Sequence, residues 1–216
     1  MKHRGLLLIA AGLMAGASLA ATPFNHSWRE FPQVSNSGFT EASGDRAMQL
    51  SIEVPASARE VFAAFTTSEG FSSWAVPVAH VDFRIGGYIE ASYDPAAKPG
   101  DPNNIRNRIL AYVPDRVLVI KNEQAPKGFA DPELFQRTST VIEFLALSPG
   151  STRVTLTNAG YGKGEGFDTL YQHFEWGNAY TLAELRSRFE KGPVDWKARA
   201  AQQKAKDASK KVEGKH

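Results

Sequence analysis

The sequence predicts an α+β domain in which a curved antiparallel β-sheet wraps around one long C-terminal α-helix, with two short helices after the first strand. Three observations predict it. Met48, Leu50, Ile52 and Val54 alternate with polar residues, as a half-buried strand requires. Residues 76–158 then read as a succession of strands separated by turn residues, which implies an antiparallel meander. From 166 to 191 the apolar spacing changes to a helical period.

Taken in order, Met1-Lys2-His3-Arg4 is a basic head followed by an uncharged apolar run from Gly5 to Leu19 that ends in Ser18-Leu19-Ala20. This is the pattern of a cleavable secretory signal peptide, predicted over residues 1–20. The run is interrupted by Gly5, Gly12 and Gly16 and is shorter than the ~20 residues that span a bilayer, so no stable membrane anchor is expected after cleavage. The chain has no cysteine, which excludes a lipid-attached leader and any disulfide. The expected address is periplasmic or secreted.

Residues 21–47 hold scattered Pro, Gly and aromatic residues without periodicity and are expected to be an irregular lead-in packed through its aromatics. Pro55 ends the first strand. Ser57 and Glu60 have the spacing of a capping box, predicting a helix that buries Val61, Phe62 and Phe65. A second short helix is expected from Ser68, with Phe71 and Trp74 as its apolar residues. Strands are predicted at 76–85, 88–94, 105–113, 116–122, 137–147 and 151–158, and Gly86-Gly87 reads as a tight hairpin turn. Leu170, Phe174, Thr181, Leu185 and Phe189 line one side of the long helix, which Gly192-Pro193 stops. The folded domain is thus 48–192, and residues 193–216 are expected to be a basic flexible tail, at most helical in part.

That tail holds seven Lys and Arg against Asp195, Asp207 and Glu213, leaving residues 21–192 with 16 basic and 20 acidic side chains. An acidic body argues against nucleic acid as a partner.

A curved sheet with an apolar concave face, covered by a single helix, predicts an interior cavity. Its expected wall residues are Phe62, Phe65, Trp74, Phe83, Tyr88, Tyr112, Phe167, Tyr171 and Phe174. Glu143 lies between Val141 and Leu145 but also between Ile142 and Phe144, so alternation allows it to face either the interior or solvent. Facing inward, and paired with Arg108 on a neighbouring strand, it would be an acid, a base or a ligand anchor.

Several stretches resemble the START-like helix-grip (SRPBCC, Bet v 1-like) superfamily, and within it the domain family named after the activator of the Hsp90 ATPase. These are Val54-Pro55-Ala56-Ser57 with Glu60-Val61-Phe62, Ser68-Glu69-Gly70-Phe71 leading to Trp74, and Phe83-Arg84-Ile85-Gly86-Gly87. Further on they are Ser151 to Asn158 and the helix containing Glu175-Trp176-Gly177 with Leu182 and Leu185. The resemblance covers about residues 48–191. It implies a sheet gripping a C-terminal helix around a pocket that takes apolar ligands in various members, and it transfers no fixed catalytic set. Where similar sequences usually carry an aromatic residue after Val141, this one has Glu143.

The expected function is therefore that of an exported single-domain protein binding a small hydrophobic or amphipathic ligand in the pocket. One alternative is a cyclase- or hydratase-type enzyme using Glu143 with Arg108 or Tyr112. Another is a chaperone-ATPase regulator, as the family name suggests, which export disfavours. No cofactor and no metal are expected: His26, His80 and His173 share no ligand-like spacing, and neither a Gly-x-Ser-x-Gly elbow nor a thiol is present. The segment Gly160 to Gly166 matches neither nucleotide-binding fingerprint and is expected to be a mobile lip at the pocket mouth, with free amides near the helix N-terminus that could meet an anionic ligand group.

Overall fold

The structure, a computed structural model, describes residues 24–213. The predicted signal peptide lies outside the described residues.

Trp28–Glu30 form a 3-10 turn closed by a Ser27/Glu30 capping box. Strands β1 (Ser35–Asn36) and β2 (Phe39–Thr40) follow, and both pair with β3 (Arg46–Val54). Helices α1 (Ala58–Thr66) and α2 (Ser68–Ser72) come next, then β4 (Val78–Val81), β5 (Tyr88–Ser92), β6 (Ile105–Val113) and β7 (Val117–Gln124). A short α3 (Pro132–Arg137) precedes β8 (Ser139–Ser148) and β9 (Ser151–Tyr161). The chain continues into α4 (Glu165–Lys191) and α5 (Trp196–Glu213). The sheet is antiparallel throughout, in the order β1-β3-β9-β8-β7-β6-β5-β4 with β2 also on β3.

The two short helices stand where their caps predict them. Ser57 Oγ accepts from Glu60 N at 3.3 Å while Ser57 N donates to Glu60 Oε2 at 3.0 Å, satisfying two amides that a helix start otherwise leaves unpaired. The face so oriented buries Val61, Phe62, Ala64 and Phe65. α1 packs against β8 and β9, α2 against β4, and α4 along β3 and β9. Arg186 pins α4 to the strand by donating from Nη1 to Glu53 O at 3.0 Å.

Four expectations are corrected. The lead-in is not irregular, since it carries β1, β2 and buried Val34, while its aromatics do pack, Phe31 edge-on against Tyr180 of α4 at 5.9 Å. Gly86-Gly87 is not a two-residue hairpin, because the turn spans Asp82–Gly87, closes through Tyr88 N to Asp82 O at 3.2 Å, and needs positive φ only at Gly86. Residues 196–213 are helical rather than a free tail. Trp196 Nε1 donates to Ser72 O at 2.7 Å, Val194 N to Ser73 O at 2.8 Å, and Arg199 pairs with Glu184 at 2.6 Å. The glycine-rich segment is a loop only in part, since β9 runs on to Tyr161, which is fully buried, and α4 begins at Glu165, leaving residues 162–164 between them. Gly160 permits this: its φ is 101°, and an added Cβ would sit 2.6 Å from Arg137 O. Among the described residues no helix is long and apolar enough to cross a membrane.

Candidate ligand-binding interior

Period-two alternation divides every strand between a concave and a convex face. On the concave face β6 presents Ile105, Asn107 and Ile109, β7 presents Leu118, Ile120 and Asn122, and β9 presents Val154, Leu156 and Asn158, all buried. β8 adds Thr140, Ile142 and Phe144. The interior beneath α4 therefore has two chemically different ends.

One end is aromatic. Phe62 and Phe65 from α1 each meet Phe144 edge to face at 5.3 Å, and Phe65 meets Trp74 at 5.0 Å. Trp74 Nε1 donates to Ala64 O at 3.0 Å, so the one polar atom of that indole is satisfied. Phe83 extends the wall outward from Phe62 at 5.7 Å and lies 4.4 Å from Tyr112, both half-buried. Such perpendicular pairs add ~0.5–1.5 kcal/mol each to the burial of their area.

The other end is lined by amides and hydroxyls. Register sets Asn107 opposite Asn122, Thr140 opposite Asn158, and Asn158 opposite Met48. Asn158 Nδ2 donates to Thr140 Oγ1 at 2.7 Å and to Ser139 O at 3.0 Å, and the Tyr161 hydroxyl donates to Asn158 Oδ1. Asn122 Nδ2 donates to Thr138 Oγ1, which donates in turn to Phe135 O at 2.8 Å. From α4, Asn178 reaches Met48 Sδ at 3.5 Å, a weak acceptor. Burial pushes the Tyr161 phenol well above its ordinary value, so the hydroxyl stays neutral and available to donate. The row is incompletely satisfied: Asn107 Oδ1 and Asn178 Oδ1 are buried with no hydrogen-bond partner among the described residues. Orphaned amide oxygens of this kind are uncommon in folded interiors and call for an explanation.

Of the eleven residues singled out from sequence, Phe62, Phe65, Trp74, Phe167 and Phe174 are buried, and Phe83 and Tyr112 line the aromatic approach. Phe174 closes the amide end against Phe135 and Tyr161, at 5.9 and 6.3 Å. Tyr171 is half-buried on the flank of α4, 5.1 Å from Tyr161 and under the Arg46 guanidinium.

The remaining three face away from the interior, a correction to the expected lining. Tyr88 and Arg108 are register partners on the convex face, behind the inward pair Ile89 and Asn107. Arg108 donates to Glu123 Oε1 at 2.9 Å and to Gly86 O at 2.8 Å, and Arg106 donates to Glu123 Oε2 at 2.9 Å. Burial raises the Glu123 carboxyl, but Arg108 and then Arg106 more than reverse this, holding it below the ordinary glutamate range. Glu143 is exposed, because Ile142 and Phe144 take the inward positions of β8. The open alternation thus resolves to solvent, and the enzyme alternative loses its carboxylate.

Sequence reasoning missed Asn107, Asn122, Asn158, Tyr161 and Asn178. Their signal was present: in three strands an Asn occupies an inward position in step with Ile, Leu or Val two residues away. A concavity of about 470 Å³ lies at the edge of β3, lined by Ser35, Ser51, Glu53, Arg153 and Arg186. Its charges are neutralised locally, Glu53 by Arg153 at 3.1 Å and Arg186 by Glu190 at 2.7 Å. Among the described residues no three His, Asp or Glu side chains converge as a metal site would require.

No curated protein sequence matches the chain. Among solved structures it is similar to the Aha1 dimer from Colwellia psychrerythraea, at 17% identity and a TM-score of 0.52, over 68% of this chain and 97% of that one. It is also similar to CalU16 from Micromonospora echinospora, at 20% identity and 0.50, over 79% and 92% of the two chains. A conserved protein of unknown function from Enterococcus faecalis aligns at 12% identity and 0.53, over 84% and 95%. At these identities the likeness is one of fold, and the fold is the helix grip. The family model described as Activator of Hsp90 ATPase homolog 1-like protein matches residues 55–190, more than half of the sequence, and the chain belongs to that family.

Proposed function

We propose that this protein is exported and binds a small hydrophobic or amphipathic molecule in the interior between the sheet and α4. The observation that carries this is the division of the interior: an aromatic wall at one end, and at the other a buried polar row with two acceptors left unpaired. Burying a polar atom without a partner costs ~1–3 kcal/mol, a cost that a bound molecule with a polar head would relieve. The aromatic wall would supply the apolar contact, as in most small-molecule sites. Native mass spectrometry of protein purified from its own source tests the reading. A retained mass that organic solvent releases is expected; an unliganded mass with an empty extract refutes it.

The family's name favours a second reading, regulation of a chaperone ATPase. Cell fractionation separates the two. A chain beginning after Ala20 and found outside the cytoplasm fits export, whereas a full-length cytoplasmic chain that stimulates ATP hydrolysis by the chaperone restores the regulator reading.

A further inference from the structure

The amide end also limits the chemical class of the bound molecule, an inference that rests on the ligand-binding reading above. Among the described residues Glu90 is the only Asp, Glu, Lys, Arg or His that is buried. It belongs to the convex side, where its carboxylate accepts from Gly100 N at 2.7 Å and from Asn104 Nδ2 at 2.6 Å. The basic side chains nearest the interior are engaged by other groups: Arg46 pairs with Asp168 of α4 at 2.6 Å, Arg188 donates to Ser73 Oγ at 2.9 Å, and Arg106 and Arg108 hold Glu123. Apart from the Arg46–Asp168 pair between β3 and α4, the concave face therefore offers amides and hydroxyls but no formal charge.

An ionised carboxylate or ammonium brought beneath α4 would be desolvated without a counter-ion, which costs several kcal/mol. A hydroxyl would not. It both donates and accepts, so it satisfies Asn107 or Asn178 whichever way their amides are turned. We infer that the site selects amphipathic molecules with an uncharged hydroxyl head, placed at Asn107 with the chain toward Phe62, Phe65 and Phe144.

The test uses three probes with one twelve-carbon chain: 1-dodecanol, dodecanoate and dodecyltrimethylammonium, titrated calorimetrically into the purified protein at pH 8. The alcohol is expected to bind at least about tenfold tighter than either ion. Dodecanoate should recover affinity only as the pH falls toward its own pKa, about 5. Asn107→Leu should weaken the alcohol about tenfold without loss of fold by circular dichroism, because it removes an acceptor that the protein itself does not use. Dodecanoate binding as tightly as the alcohol at pH 8, or unchanged alcohol affinity in Asn107→Leu, overturns the neutral-head inference and leaves the ligand-binding reading standing. No binding of any of the three overturns both.

Discussion

The two ends of the concave face are buried to a similar degree but held together differently. Around Phe62, Phe65, Trp74 and Phe144 every contact is made within the protein, and the single indole N–H is paired. Around Asn107, Asn122, Asn158 and Asn178 the polar atoms are paired along part of the row and orphaned at Asn107 and Asn178. The contrast teaches that the two ends of one interior contribute differently to stability and to recognition. A closed aromatic cluster stabilises the fold and offers a ligand apolar surface only, whereas a partly satisfied polar row sacrifices some stability and keeps hydrogen-bonding capacity in reserve.

The largest effect should come from the aromatic end. Trp74→Ala removes a fully buried ring and its bond to Ala64 O, and a loss of ~3–5 kcal/mol in urea unfolding is expected. A loss under about 1 kcal/mol would mean that this end is not the stabilising one. The amide end should respond according to whether an atom is paired. Asn158→Leu strands the hydroxyls of Tyr161 and Thr140 and should cost about 2–3 kcal/mol, while Asn107→Leu deletes an orphan and should lie within about 1 kcal/mol of the parent, on either side. Equal destabilisation by the two leucine variants would remove the distinction.

The convex face supplies a control that titrates. Glu123 ionises at a lower pH in the folded protein than in the unfolded chain, where glutamate titrates at about 4.3. Its contribution is therefore present in full above that value and is lost as the pH falls through the depressed folded value. Glu123→Gln should lower stability at pH 7 and flatten the loss measured between about pH 5 and pH 3. An unchanged acid limb would count against the Arg106–Glu123–Arg108 cluster. The smallest effect belongs to Glu143→Gln, expected within about 0.5 kcal/mol and without effect on the affinity of any bound ligand, since the side chain lies in solvent. A drop in affinity would return Glu143 to the site.

Legibility from the sequence tracked the range of the interaction involved. The capping box at Ser57 and Glu60, the alternation of β3 and the stop at Gly192 were all readable, because each is decided by side chains within a few residues of one another. α3 was not, since Pro132–Arg137 is too short for a helical period to register and buries only Phe135. The orphaned amides were half readable. Their inward positions followed from alternation, but whether a partner reached them depended on strands that meet only when the sheet curves.

By itself, then, the sequence determined the α+β class, the antiparallel order and the apolar face of the long helix, since period-two and period-3.6 spacing are properties of the local backbone. Only the tertiary structure decided which face of β8 turned inward. Ile142 and Phe144 on one side and Val141 and Leu145 on the other are both apolar, and the choice fell to Phe62 and Phe65, some eighty residues earlier. It likewise decided that Trp196 is held by Ser72 O and that Asn107 Oδ1 has no hydrogen-bond partner among the described residues. Those outcomes depend on which groups the fold brings within hydrogen-bond reach, and spacing along the chain does not encode that reach.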